Sequence, residues 1–245
     1  MKKQLTIMLI VVAALSALLL TEAALAAGPT PATSLTAGAS SHRDLSSLPA
    51  QSVTAQAGNI TPLNISALSI TKSWQGYYGN VSGAIVLADA NNKTFYNWSV
   101  ATLVGGRIYA TRNSSTVFTT VNCTNSTGIT TEIAALGQTA TDADSVSNTF
   151  TLNSHPAFSV GSTSIAANAC KSTNAFGPTG SQGTQFYQVL LSDANGAGNI
   201  IYTTLVNGTQ TGFDNNGWAF ELLVGQNGHS GGPATTPYYF YVELN

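Results

Sequence analysis

The sequence predicts an all-β protein with an immunoglobulin-like sandwich, and three observations favour this fold. Short runs of about five to eight residues alternate apolar and polar side chains, which is the period of a strand. Clusters of Gly, Asn, Asp and Pro separate these runs, as the turns of a sandwich do. Apolar residues make up 43% of the 245 residues and charged residues only 7%, so the chain has material for a core and a polar but weakly charged surface.

The charge balance narrows the classes of partner. The net charge is −2, and the longest basic run is Lys2-Lys3. Nucleic acids and anionic membrane surfaces are bound by clustered Lys and Arg. Neither is therefore an expected partner.

The first 26 residues predict a signal peptide. Lys2 and Lys3 form the positive end, Leu5–Leu20 is apolar, and Ala24-Leu25-Ala26 is an A-x-A cleavage site. The alternative is a permanent signal anchor. After cleavage no apolar run approaches the length of a membrane span, so we expect secretion to the cell surface or beyond it.

Residues 27–57 predict a linker or pro-segment, because they are rich in Ala, Ser, Thr and Pro and lack a strand pattern. A second A-x-A, Ala55-Gln56-Ala57, precedes Gly58. The mature chain could therefore begin at Ala27 or at Gly58. The alternative is an uncut flexible tail.

Residues 58–72 predict a strand that stands apart from the hairpins of the body. Leu63, Ile65 and Ala67 share one face of this strand. Leu68 and Ile70 share the other face. Such a strand can pair within its own sheet or complete the sheet of a neighbouring subunit. Our hypothesis is the second arrangement, a donor strand.

Residues 73–245 predict the sandwich domain. An aromatic connector at 74–79 leads into a hairpin that turns at Asp89–Lys93, and a second hairpin at Phe186–Val206 repeats its Asp-Ala-Asn turn. A short helix is expected near 131–136, capped by Thr130 or Thr131 and ended by Gly137. Further strands are expected at 107–111, 116–122, 149–152, 157–160, 164–169, 218–224 and 238–244, with a loop at 171–183.

Cys123 and Cys170 predict one disulfide, because an exported chain with two cysteines most simply pairs them. Two free buried thiols are the alternative. A metal site is less expected, since neither cysteine has a neighbouring histidine to complete a ligand set.

The sequence supplies no catalytic constellation, so we expect no enzymatic activity. Gly228–Pro233 resembles the nucleophile loop of chymotrypsin-like proteases, but His229 stands where that loop has Asp. A serine nucleophile also needs a histidine base, and His42 and His155 lack the family's setting. Asp142–Ser145 and Asp214–Gly217 offer oxygen atoms that could hold Ca²⁺, although turns use the same residues. No cofactor is expected beyond that.

Five aromatic residues could form a sugar-stacking platform, although core or interface packing is the alternative. They are Trp74, Tyr77, Tyr78, Trp98 and Trp218.

Nine N-x-S/T sequons predict N-linked glycans, roughly twice the number that this composition gives by chance. Glycans would solvate a surface that has few charges. We expect them at several sites, foremost Asn80, Asn92, Asn97 and Asn113. The other acceptor residues are Asn59, Asn64, Asn122, Asn125 and Asn207.

Four stretches carry a resemblance to known families. They are GNITPLNIS, WQGYYGNVSG, FDNNGWAFELLV and the terminal YYFYVELN. Together they resemble a family of secreted archaeal β-sandwich glycoproteins. The architecture also resembles the glycosylated subunits of archaeal extracellular filaments, which join by donor-strand exchange. The resemblance implies a structural subunit that forms a homopolymer. The alternative is a secreted carbohydrate-binding module or adhesin.

Overall fold

The computed structural model describes residues 28–100, 104–228 and 235–244. The predicted signal peptide, most of the Gly228–Pro233 loop and the terminal Asn245 lie outside these ranges. Within them the regular secondary structure is mostly antiparallel strand, which confirms the predicted all-β, sandwich-like fold. Fifteen strands are described, in chain order: β1 (Thr30–Pro31), β2 (Trp74–Gly79), β3 (Gly83–Ala88), β4 (Thr94–Val100), β5 (Val104–Thr111), β6 (Asn122–Cys123), β7 (Phe158–Val160), β8 (Thr163–Ile165), β9 (Ser172–Phe176), β10 (Gln182–Ser192), β11 (Ile200–Asn207), β12 (Gln210–Thr211), β13 (Gly217–Trp218), β14 (Phe220–Gly225) and β15 (Tyr239–Glu243).

The main sheet runs in the order β1-β15-β5-β11-β10-β6, and β9 also pairs with β10. Its central strands are covered on both faces. Apolar side chains therefore occupy successive positions along these strands. Val189 and Leu191 of β10 face one core, and Leu190 faces the other. Consecutive apolar residues of this kind are typical of a strand covered on both sides.

Each face of the main sheet has its own cover. The pair β7–β8 and a 3₁₀ turn at Phe118–Thr120 lie over the first core. The helix α1 (Ser126–Ala135), a one-turn helix α2 (Val146–Thr149) and the β14–β2 ladder lie over the second. The amide of Gln188 in β10 ties the layers together, since it donates to Leu223 O (2.5 Å) and accepts from Leu223 N (2.8 Å) in β14.

Helix α1 begins five residues before the predicted start. Asn125 caps it by accepting a hydrogen bond from Gly128 N (2.9 Å), so the N-cap is an asparagine and not Thr130 or Thr131. Gly137 adopts a left-handed conformation (φ 65°) just beyond the helix, as predicted.

Five other local predictions are wrong. The expected strand at 164–169 is the end of β8, which stops at Ile165. The expected aromatic connector at 74–79 is strand β2, which pairs along its whole length with β14. The expected loop at 171–183 contains β9, which β10 pairs. The expected strand at 116–122 is mostly the 3₁₀ turn, and 149–152 contributes one bridge, at Leu152. For β2 and β9, tertiary strand pairing overrides the weak local pattern.

Both predicted hairpins form, and an aspartate organises each turn. Asp89 Oδ1 accepts from Asn91 N (2.9 Å) and Lys93 N (2.8 Å) between β3 and β4. Asp193 Oδ1 accepts from Asn199 N (2.6 Å) between β10 and β11. The repeated Asp-Ala-Asn sequence therefore reflects a shared turn chemistry.

Cys123 and Cys170 are joined by a disulfide, with Cα atoms 4.9 Å apart. Cys170 is buried in the first core, whereas Cys123 lies in β6 at the border of the main sheet. The bridge therefore fastens the segment before α1 to the loop before β9.

Candidate assembly surfaces and glycosylation sites

Residues 58–72, the apolar segment, are exposed along their whole length. They form no strand, and residues 60–70 have no backbone hydrogen bond to another described residue. Ile60 is 99% exposed and Ile65 83% exposed. Leu63, Leu68 and Ile70 are exposed as well, so both predicted faces are bare. The expected strand has the residues to pair but lacks a partner within the described chain.

The C-terminal end of the apolar segment is fixed on the body. Thr71 Oγ1 donates to Asp144 Oδ2 (2.5 Å), and Ser73 is fully buried. Trp74 Nε1 donates to Asp144 O (2.7 Å), and the indole packs edge-on against Tyr202 of β11 (centroids 6.1 Å). The segment therefore leaves the body above β11, a central strand of the main sheet.

The last strand of the main sheet, β15, has a lightly covered outer edge. Thr30 lies opposite Val242 and Pro31 opposite Tyr241, and Ala32 N donates to Phe240 O (3.0 Å). The two residues of β1 cover less than half of the five residues of β15. This pairing is not visible in the sequence, because two residues carry no periodic pattern.

The β3–β4 hairpin projects from the body as a two-stranded sheet. Ile85 pairs with Trp98 and Leu87 with Tyr96, so these four side chains share one face. Each of the four is about half exposed, and Phe95 on the opposite face is 84% exposed. A free two-stranded hairpin is marginally stable in water, so this apolar face is suited to a covering partner.

Eight of the nine predicted acceptor asparagines have exposed side chains. Asn113 is the exception, because it is half-buried and its Nδ2 lies 3.4 Å from Asp193 Oδ2. At Asn125 the helix cap uses Oδ1, whereas a glycan is attached through Nδ2, so both roles are compatible.

The five candidate platform aromatics do not form one row. Trp74 is part of the second core, and Tyr77 packs against Phe240. Trp98 lies on the β3–β4 hairpin beside Tyr96. The remaining two, Tyr78 and Trp218, meet edge-on with centroids 5.0 Å apart.

Phe213 completes a partly exposed aromatic cluster with Tyr78 and Trp218, and its ring centroid is 5.0 Å from that of Tyr78. Asp214 Oδ1 accepts from Trp218 Nε1 (2.8 Å), and hydrogen bonds from Asn216 and Trp218 lower the pKa of Asp214. Glu221 Oε1 accepts from Phe213 N (2.9 Å). Partial burial raises the pKa of Glu221, and the negative charge of Asp214 adds to the shift. No alternating pattern surrounds Phe213, so its place in this cluster is not visible in the sequence.

The residues considered for catalysis or metal binding serve as structural contacts. His155 Nε2 accepts from Cys170 N (3.0 Å), and Nδ1 lies 2.8 Å from Pro156 O. Asp142 accepts from both Thr139 N and Thr139 Oγ1, which closes its own loop. Within the described ranges, no three His, Cys, Asp or Glu side chains converge as a metal site. Ser230 lies outside these ranges.

No family model, curated protein or solved structure matches this chain. Among the helices in the described part of the chain, none is both long and apolar enough to cross a membrane.

Proposed function

We propose that this protein is a secreted structural subunit of a glycosylated extracellular filament or surface layer. Its subunits join when the apolar segment of one copy adds as a strand to the next copy. The observation that carries this proposal is the apolar segment itself, which is exposed and has no strand partner within the described chain.

The composition of the segment favours burial against a partner. Four of its side chains, Leu63, Ile65, Leu68 and Ile70, are large and exposed. Burying each stabilises a complex by about 1.5–3 kcal/mol, or about 6–12 kcal/mol for all four. Association costs about 4–15 kcal/mol, so the burial of these side chains alone roughly balances the cost of association. The hydrogen bonds of an added strand supply what is missing.

Strand addition by an N-terminal segment also predicts an open polymer. A copy that fills its neighbour's sheet leaves its own edge to be filled by a third copy. The contact is head-to-tail, and chains of copies grow until the supply of subunits ends. Exposed acceptor asparagines around the body would keep such a polymer solvated.

A deletion tests this proposal cleanly, because residues 60–70 make few contacts with the body. Removing them should leave a folded subunit that no longer polymerises. Ile65→Asp should have the same effect, since it would place a charge in a buried contact. Val117→Asp is the matched control, because Val117 is also an exposed aliphatic residue and is present whether the mature chain begins at Ala27 or at Gly58. Polymerisation of the 60–70 deletion at the normal rate would contradict strand addition by this segment.

The second candidate function is carbohydrate binding by the Tyr78–Phe213–Trp218 cluster. Exposed aromatic rings beside carboxylates are a common arrangement for stacking on a sugar. Titration of soluble glycans into the deletion variant should then show saturable binding that Trp218→Ala abolishes. The filament proposal expects no such binding.

A further inference from the structure

The N-terminal tail, residues 28–57, occupies part of the outer edge of β15. This is the edge to which a strand from a second copy would add. Only Thr30 and Pro31 are paired with β15, and Ala32 N bonds to Phe240 O. Most of the tail beyond Ala32 is exposed and free of regular structure. The tail therefore reaches back to the body at one short contact.

The geometry at this contact shows that the edge of β15 accepts a strand. Ala32 bonds opposite Phe240, so Phe240 and Val242 direct their backbone groups outward, and Pro31 falls between them. Proline lacks an N–H donor, and at this position the missing donor costs no ladder bond. The edge is thus open to a longer strand that has a donor at every position. The apolar segment from Leu63 to Ile70 contains no proline.

We infer that the tail is an intramolecular cap on β15, and that cutting the chain before Gly58 releases it and opens the edge to the apolar segment of a second copy. This inference rests on the proposed function. An endopeptidase adds water across the Ala57–Gly58 peptide bond, which leaves a carboxylate on Ala57 and an amino group on Gly58. Ala55–Gly58 is exposed and ends in a turn in which Asn59 N donates to Gln56 O (3.3 Å), an accessible setting for proteolysis.

Tethering explains why a contact this short holds before the cut and fails after it. While the tail is joined to the body, its effective concentration at β15 is on the order of millimolar. After the cut the same few hydrogen bonds must act between separate molecules, and each contributes only about 1 kcal/mol. That total is below the cost of association, so the cut tail leaves.

A second copy fits the edge better than the chain's own segment. The segment is anchored through Thr71 to Asp144 and leaves the body above β11. In the sheet order, β5 and β15 both lie between β11 and the open edge. One segment and one edge per copy also give the head-to-tail stoichiometry that a filament needs.

The test uses the whole secreted chain with residues 52–57 replaced by the recognition site of a specific protease. Light scattering after size-exclusion chromatography should show a monomer before the cut and a growing series of oligomers after it. A disulfide lock, Thr30→Cys with Val242→Cys, should keep the cut chain monomeric, because antiparallel partners at this spacing satisfy disulfide geometry. Ile65→Asp should keep the cut, unlocked chain monomeric.

Two results would overturn the inference, and they have different consequences for the filament proposal. If the uncut or locked chain polymerises as fast as the cut chain, the tail is no cap, although strand addition itself survives. If the cut chain sheds its tail and remains a monomer, the edge of β15 is not the acceptor. The filament proposal is then judged on the deletion of residues 60–70 alone.

Discussion

Tyr109 Oη of β5 donates a 2.5 Å hydrogen bond to Glu243 Oε2 of β15 inside the first core. Glu243 also accepts from Gly161 N (2.9 Å) and lies 3.7 Å from Arg107. A buried carboxylate needs each of these partners, because losing one leaves it partly unsatisfied. The network thus fixes β15, the strand whose outer edge the tail covers.

Tyr109→Phe should lower the free energy of unfolding by about 2 kcal/mol, since it removes one donor from a buried carboxylate and keeps the ring. Urea denaturation measures the change. Tyr239→Phe is the matched control in the neighbouring strand β15, because Tyr239 is exposed and the loss of its hydroxyl should change stability by less than about 0.5 kcal/mol. Equal effects of the two variants would contradict a structural role for the Tyr109–Glu243 bond.

Stability should fall at alkaline pH. Burial raises the pKa of Tyr109, Tyr202 and Tyr238, and nearby carboxylates add to each shift. The unfolded chain loses these protons near pH 10, whereas the folded chain keeps them. Stability is therefore complete below about pH 10 and declines above it, by about 1.4 kcal/mol per pH unit for each such group. Unfolding free energies measured from pH 8 to 11 should show this decline, and Tyr202→Phe should make it shallower. A slope unchanged in Tyr202→Phe would contradict the assignment.

Removing the disulfide should destabilise the fold. The bridge closes a loop with a sequence separation of 47. Closing such a loop lowers the entropy of the unfolded chain, which stabilises the fold by about 4 kcal/mol. The double variant Cys123→Ser/Cys170→Ser should lose about that much in urea denaturation. Lys171→Ala, at an exposed neighbouring position, should lose almost nothing. An intact mass that does not rise by two protons on reduction would contradict the bridge itself.

Glycan occupancy should follow side-chain exposure. The eight exposed acceptor asparagines should carry glycans on native material, whereas Asn113 should be the least occupied, because it is half-buried and its Nδ2, the atom of attachment, donates to Asp193. Glycopeptide mass spectrometry measures each site. Unmodified asparagine at all nine sites would contradict the proposal that sugar solvates this surface.

Much of the fold follows from local pattern, and the exceptions share a physical cause. The β3–β4 and β10–β11 hairpins were predictable, because Asp89 and Asp193 form their turns with residues that lie only a few positions away. Strand β2 was not, since its residues become a strand only through pairing with β14, more than a hundred residues later. A still longer separation in sequence, 212 residues, hides the contact of Thr30 with Val242.

The candidate surfaces divide in the same way. The acceptor asparagines and the apolar segment are visible in the sequence, because each depends on a short motif. The cluster of Tyr78, Phe213 and Trp218 depends on the fold, which brings β2 beside the turn that follows β12. No local pattern around Phe213 could have placed it there.

Electron microscopy of the surface material from cells that produce this chain is the decisive test of assembly by strand addition. We expect filaments or a sheet of uniform repeat, with glycosylated subunits that begin at Gly58 by N-terminal sequencing. Single dispersed particles of monomeric mass, with the apolar segment paired in its own sheet, would contradict it.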